Sequence, residues 1–155
     1  MSEASWDRSQ CSVAGTLAVV GEKWSLLVLR EASHGVRRFA DIQRYTGAPK
    51  AVLTDRLATL VEHGILRRVP YQAEGERQRH EYRLTAKGLD LVPTLVALME
   101  WGDKYLADGE VPPMALEHRS CGAPVHLELR CDEGHELASA REIHAVPKGA
   151  ALSPR

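Results

Sequence analysis

Between Val36 and Leu84 the apolar spacing switches from helical to strand-like, and this constrains the fold more than any other feature of the chain. Phe39, Ile42 and Tyr45 recur at i, i+3 and i+6, which places them on one helical face. Gly47 supplies a turn, and Pro49 suits a first helical position, where its missing N–H costs nothing. Leu53, Leu57, Leu60 and Val61 then form a second stripe at i, i+4, i+7 and i+8, and Gly64 fits the position just past a helix end. From Ile65 the period changes. Ile65 to Tyr71 reads as a strand, Gln72 to Gln78 as a polar loop containing Gly75, and Arg79 to Leu84 as a second strand. In that second strand Tyr82 and Leu84 alternate with Glu81 and Arg83. Helix, turn, helix and hairpin follow one another with almost no chain between them.

The flanks extend this unit. "CSVAGTLAVVGEKWSLLVLREASHG" reads as two short helices, the first capped by Ser12 and broken at Gly21, the second ended by His34-Gly35. Trp24, Leu26, Leu27 and Leu29 give the second a nearly continuous apolar surface, as burial requires. "TAKGLDLVPTLVALMEWGDKYL" reads as one long helix capped by Thr85 and kinked at Pro93. Val92, Leu95, Val96, Met99 and Leu106 make one stripe. Leu91, Leu98, Trp101 and Tyr105 widen it beyond what one small domain covers, so Leu95, Leu98, Trp101 and Tyr105 are candidate dimerisation residues. Wrapping of its own domain is the other reading of that surface.

The fold class is therefore α+β, mainly α: a winged helix-turn-helix with a long C-terminal dimerisation helix and a small β-rich, ribbon-like tail. The 155 residues suit one compact domain and an appendage. Residues 1–10 read as a flexible N-terminus, 11–108 as the main domain, 109–116 as a linker, 117–146 as the tail and 147–155 as a disordered end. No apolar run approaches the length of a membrane span, the N-terminus lacks an apolar signal core, and three cysteines are too few for a disulfide scaffold. A reducing, cytoplasmic setting with no membrane partner is expected. Net charge is −1, but residues 36–87 hold eleven Lys/Arg against six Asp/Glu, whereas residues 109–155 hold five against seven. The basic excess coincides with the helix-turn-helix and hairpin, as a polyanion partner requires.

Four signatures in order sharpen this reading: Gly21-x-Lys23-Trp24, Arg38-Phe39-x-x-Ile42, Leu53-Thr54-x-Arg56-Leu57 and Tyr82-x-Leu84-Thr85-x-x-Gly88. Together they resemble the HxlR family of bacterial transcriptional regulators, relatives of the MarR group, from about Cys11 to Leu106. The resemblance implies a homodimer joined through terminal helices, bound to a pseudo-palindromic double-stranded DNA operator as repressor or activator. It also implies a sensing role for Cys11, since several members detect quinones, aldehydes or oxidants through an N-terminal cysteine. The chain departs from the family at Gly15, where many relatives carry a basic residue, and in its tail, which many lack.

On a helix entering the major groove, polar and cationic side chains must reach base edges near its N-terminal end; here these are Lys50, Thr54 and Arg56. Arg56 can grip a guanine through two parallel bonds, worth about 1–3 kcal/mol of discrimination. Asp55 either reads a cytosine amine or holds Arg56 in place. In the wing, Arg77 and Arg79, with Arg67, Arg68 and His80 nearby, are candidates for phosphate contact. Arg37 and Arg38 are either backbone anchors or a solvated loop pair. Any of these can be a merely solvated charge; the surrounding motif favours the DNA reading.

Two further inputs are visible. A small ligand or an oxidant can act as effector, with Trp24, Trp101 and Tyr105 as pocket candidates, although aromatics at this spacing are more often core. In the tail, His118-x-x-Cys121 and Cys131-x-x-x-His135 have the form of two zinc knuckles, with His126 in reserve; loss of the metal from a degenerate ribbon is the competing reading. No cofactor is required for DNA binding. A zinc-dependent enzyme in the tail fares poorly, lacking His-Glu-x-x-His and a clear general base beyond Glu128 or Glu133, so no enzymatic activity is expected. A third reading makes the tail a protein-interaction platform on a winged-helix module.

Overall fold

The computed structural model describes residues 8–72 and 74–146. The expected flexible N-terminus therefore lies largely outside the described residues, as does the disordered end at 147–155; Arg8–Gln10 form a 3-10 turn. Six helices follow in chain order: α1 (Ser12–Val20), α2 (Lys23–Ser33), α3 (Phe39–Thr46), α4 (Lys50–Glu62), then, after a hairpin, α5 (Ala86–Leu89) and α6 (Val92–Tyr105). The hairpin pairs β1 (Leu66–Tyr71) with β2 (Arg79–Leu84), antiparallel and in register from Leu66↔Leu84 to Tyr71↔Arg79. The architecture is mostly helical with one small antiparallel sheet, the winged helix-turn-helix expected from the sequence.

The core sits where α2, α3 and α4 meet the start of β1. Val28, Leu29, Ile42, Leu53, Leu57, Leu60, Ile65 and Leu66 are each at most 3% exposed. Each fully buried Leu or Ile side chain contributes about 1.5–3 kcal/mol relative to leaving it in water. The stripe on α4 is thus the contact surface it was expected to be. On α3 only Ile42 is fully buried; Phe39 is half-buried, and Tyr45 turns outward beneath the Arg44 guanidinium, 4.7 Å from its ring. On α2 the burial is partial: Leu29 is enclosed, whereas Trp24, Leu26 and Leu27 are half-buried.

Local chemistry fixes the turns. Gly47 ends α3 in the left-handed region at φ 72°, and its N–H donates to Gln43 O. The Thr46 hydroxyl accepts from Ala48 N, and Ala48 is buried, so the α3–α4 turn is packed and hydrogen-bonded throughout. Pro49 stands one place earlier than its sequence position suggested, as the residue before the first turn of α4. Ser12 likewise is the first residue of α1, not its cap; Cys11 holds that place without a side-chain bond.

The largest departure lies in the last helix. Thr85 caps not one long helix but the four-residue α5, accepting from Gly88 N. A new helix begins at Val92, with Pro93 in its first turn. In a continuous helix the Pro93 ring would collide with the carbonyl of Leu89, so a fresh start replaces the expected kink. In the tail the expected strand around Val125–Leu129 is replaced by two turns, each closed by a single bridge, Glu117↔Pro124 and Arg130↔Glu136.

Gly88 marks the tightest approach in the fold. A β-carbon there would lie 2.3 Å from Ile65 O and 2.8 Å from Leu84 Cδ2. Gly88→Ala therefore destabilises by about 1–3 kcal/mol, as backbone must yield. Gly102, in α6 with nothing within 4 Å of such a carbon, gains from alanine, by up to about 1 kcal/mol. Thermal unfolding of the two variants should move in opposite directions.

Candidate nucleic-acid interface

The outer face of α4 carries Lys50, Ala51, Thr54, Asp55 and Ala58, all exposed. Thr54 bonds back to Lys50 O at 2.9 Å, which orients its hydroxyl while leaving the oxygen free to accept. Arg56 lies elsewhere than the motif suggested: its side chain is only 23% exposed, on the flank next to the buried stripe. Its guanidinium bonds to Asp55, and that bond, outweighing desolvation and assisted by the charges of Asp55 and Glu22, strengthens its hold on the proton. Asp55 thus holds Arg56, one of the two roles open to it. Arg56 remains charged beside the helix face but does not project from it.

The wing has more structure than its two strands. Arg37 O accepts from Tyr82 N at 2.8 Å, and Arg38 bridges to Glu81, so the chain entering α3 lies alongside β2. Arg38 packs its guanidinium 4.7 Å from the Tyr71 ring, with Nε 3.8 Å from Glu81. Glu81 also accepts from Arg83 at 3.0 Å. Of the anticipated wing residues, Arg77 is exposed at the loop; Arg79 is exposed and 3.8 Å from Glu76; Arg68 contacts His80 Nδ1 at 3.1 Å.

Arg37, Arg38 and Arg44 line one open concavity of about 340 Å³ with Asp41, Tyr45 and Glu81. Arg44 was not singled out from the sequence. Its signal was available: it sits three residues after Asp41, one helical turn on, and bonds to it across that turn.

The other site residues divide clearly. Cys11 is half-buried ahead of α1, its carbonyl accepting from Gly15 N. Leu98, Trp101 and Tyr105 are each more than half exposed on α6, with Trp101 and Tyr105 rings 5.4 Å apart, while Leu95 packs against the core. The tail knuckles close pairwise: His118 Nδ1 lies 3.2 Å from Cys121 Sγ, and Cys131 Sγ lies 3.5 Å from His135 Nδ1. Among the described residues no three His, Cys, Asp or Glu side chains converge on a common point, so this arrangement does not present the four ligands that zinc requires. His126 instead pairs with Glu128, whose carboxyl is held below its ordinary range first by Arg130 and then by His126.

Residues 19–110 match the model of the HxlR-like helix-turn-helix family. The chain belongs to that family of winged-helix transcriptional regulators. It is 47% identical over 136 residues to an uncharacterised HTH-type transcriptional regulator of Mycobacterium tuberculosis (strain ATCC 25618 / H37Rv), spanning 88% of this chain and 85% of the relative. The crystal structure of PA1607, described as a transcription factor, superposes with a TM-score of 0.78 at 38% identity, covering 91% of this chain and 97% of that one. The oxidised form of the redox regulator HypR superposes at 0.56 with 32% identity, over 61% of this chain and 96% of its own. The first two similarities extend well beyond the family match and into the tail. No single helix among the described residues is long and apolar enough to cross a membrane.

Glu81 is the negative charge that binds the entry segment to the wing, its side chain 14% exposed between Arg38 and Arg83. Both arginines are partly solvated, so Glu81→Ala is expected to cost on the order of 0.5–1 kcal/mol. Urea unfolding at low and high salt checks this: the loss relative to wild type should shrink as salt rises.

Proposed function

We propose that the protein binds a pseudo-palindromic operator as a homodimer, α4 lying in the major groove and the wing following the backbone. One observation carries the reading: the outer face of α4 is open and presents Lys50 and Thr54, while Arg37, Arg38 and Arg44 line an open concavity where α3 meets the wing. Nothing in the described chain covers either. Lys50 and Thr54 are placed for base edges or adjacent phosphates. Arg56, held by Asp55, acts from the flank on the backbone. Arg77 and Arg79 reach phosphate from the wing, and the concavity fits a further phosphate at the start of α3.

Gel shifts with DNA flanking the protein's own gene test this. Arg77→Ala should weaken binding to all sequences and reduce the salt slope by about one unit. Thr54→Ala should instead relax sequence preference. An affinity indifferent to salt, or unchanged in the combined Lys50→Ala, Arg77→Ala protein, rejects the proposal.

The dimer rests on α6. Leu98, Trp101, Tyr105 and Leu106 are 52–68% exposed, an unusual concentration of apolar surface on one helix. Val13 and Leu17 on α1 are also exposed. A second copy is the occupant that two-fold operator recognition demands, with recognition helices about 34–36 Å apart. Sedimentation should show a wild-type dimer and a Trp101→Glu monomer, because a charge at the centre of an apolar seam is left without a partner. Wild-type protein sedimenting as a monomer at micromolar concentration rules the seam out.

A further inference from the structure

A cavity of about 670 Å³ opens between α2 and α6, away from the DNA-facing side residues described above. Its walls are apolar, with Leu26 and Leu27 from α2 facing Val92, Leu95 and Met99 from α6. The aromatic candidates Trp24, Trp101 and Tyr105 are not among its lining residues. Its roof comes from a segment read as a passive linker: Pro113, Met114 and Leu116. The extension that carries this roof is bonded within itself and tied once to α6. Leu116 O accepts from Val125 N at 2.8 Å, and Glu100 on α6 accepts from Leu127 N at 2.8 Å. The family match ends at residue 110, so the roof belongs to the extension and not to the shared domain.

One end is polar. Glu31 is 8% exposed, and Arg30 engages only its Oε1, through Nε and one terminal nitrogen. Among the described residues nothing engages the other terminal nitrogen of Arg30, and His34 lines the same end. The volume falls in the range of drug-sized ligand sites, and an apolar body with a few polar groups gathered at one end, here Arg30, Glu31, Ser33 and His34, is their usual design. α2, which forms one wall, also packs against α3 and α4.

We propose that this cavity is an effector pocket for a lipophilic small molecule carrying a single anionic or hydroxyl head group, received by Arg30 and His34 and roofed by the tail linker. The pocket's regulatory role rests on the DNA-binding reading; its capacity to bind a ligand does not. A molecule seated there separates or draws together α2 and α6, and it shifts operator affinity to the extent that it prefers one arrangement.

The probe is 1-anilinonaphthalene-8-sulfonate, an aromatic anion, titrated by fluorescence into the full-length protein. One saturable site per chain is expected. Met99→Trp, which fills the cavity, should weaken binding roughly tenfold or more. Met114→Asp, at a roof residue that is already 47% exposed and so unlinked to folding, should do the same. Ile143→Ala, at an exposed apolar residue outside the cavity lining, should leave it within about twofold. Binding retained undiminished in the two cavity variants places the probe elsewhere and overturns the site. Absence of saturable binding also overturns it, showing the cavity closed or filled by a second copy. In a separate arm, operator affinity is measured with and without saturating probe. A change supports the effector role; no change, with operator binding intact, removes that role and leaves the DNA-binding reading standing.

Discussion

The winged domain is held together at one junction, where the end of α4 meets the beginning of α5. The Thr85 hydroxyl donates to Gly64 O at 2.6 Å while accepting from Gly88 N, and Thr85 N donates to Ile65 O. Lys87 Nζ caps His63 O at 2.8 Å. Carbonyls left open by the end of the recognition helix are thus satisfied by residues more than twenty positions later, after the whole wing has been traversed. Gly88 makes this possible because its missing side chain admits the Ile65 carbonyl. Recognition helix, wing and α5 therefore meet with little room for relative movement. A DNA-reading head needs that rigidity, since groove and backbone must be contacted in one register.

Much of this was legible in the residues, for identifiable reasons. The hairpin was placed almost to the residue, with β2 at Arg79–Leu84 as expected and β1 beginning one position later, because alternation and a glycine-containing loop leave few options. The Leu53, Leu57 and Leu60 stripe named the buried face of α4. The kink expected at Pro93 is instead a break between two helices, because one-dimensional spacing does not say whether a proline bends a helix or opens a new one. That depended on Gly88 anchoring the preceding turn.

Other features were hidden because they depend on contacts between distant segments. Arg37 and Arg38 carry no alternating pattern, yet their backbone joins the wing through Tyr82 and Glu81. Arg56 looked outward by composition, but its place three residues after buried Leu53 and four before buried Leu60 put it on the flank. Val125, Leu127 and Leu129 alternate as a strand does, yet each is more than a third exposed and has no partner strand to complete a ladder. The prolines and glycine of 109–116 mark a linker, while its apolar residues Met114 and Leu116 also make it a cavity wall.

The break between α5 and α6 has a consequence for how such regulators diversify. α5 is locked to the reading head, whereas α6 starts afresh at Val92, so its direction is set by the link at Asp90 and Leu91 together with the packing of Leu95 on the core. In a dimer joined along α6, substitutions at those two positions re-space the recognition helices without altering either of them. Operator length and operator sequence then become separately adjustable traits, and a lineage can acquire a new half-site spacing while keeping its base contacts intact.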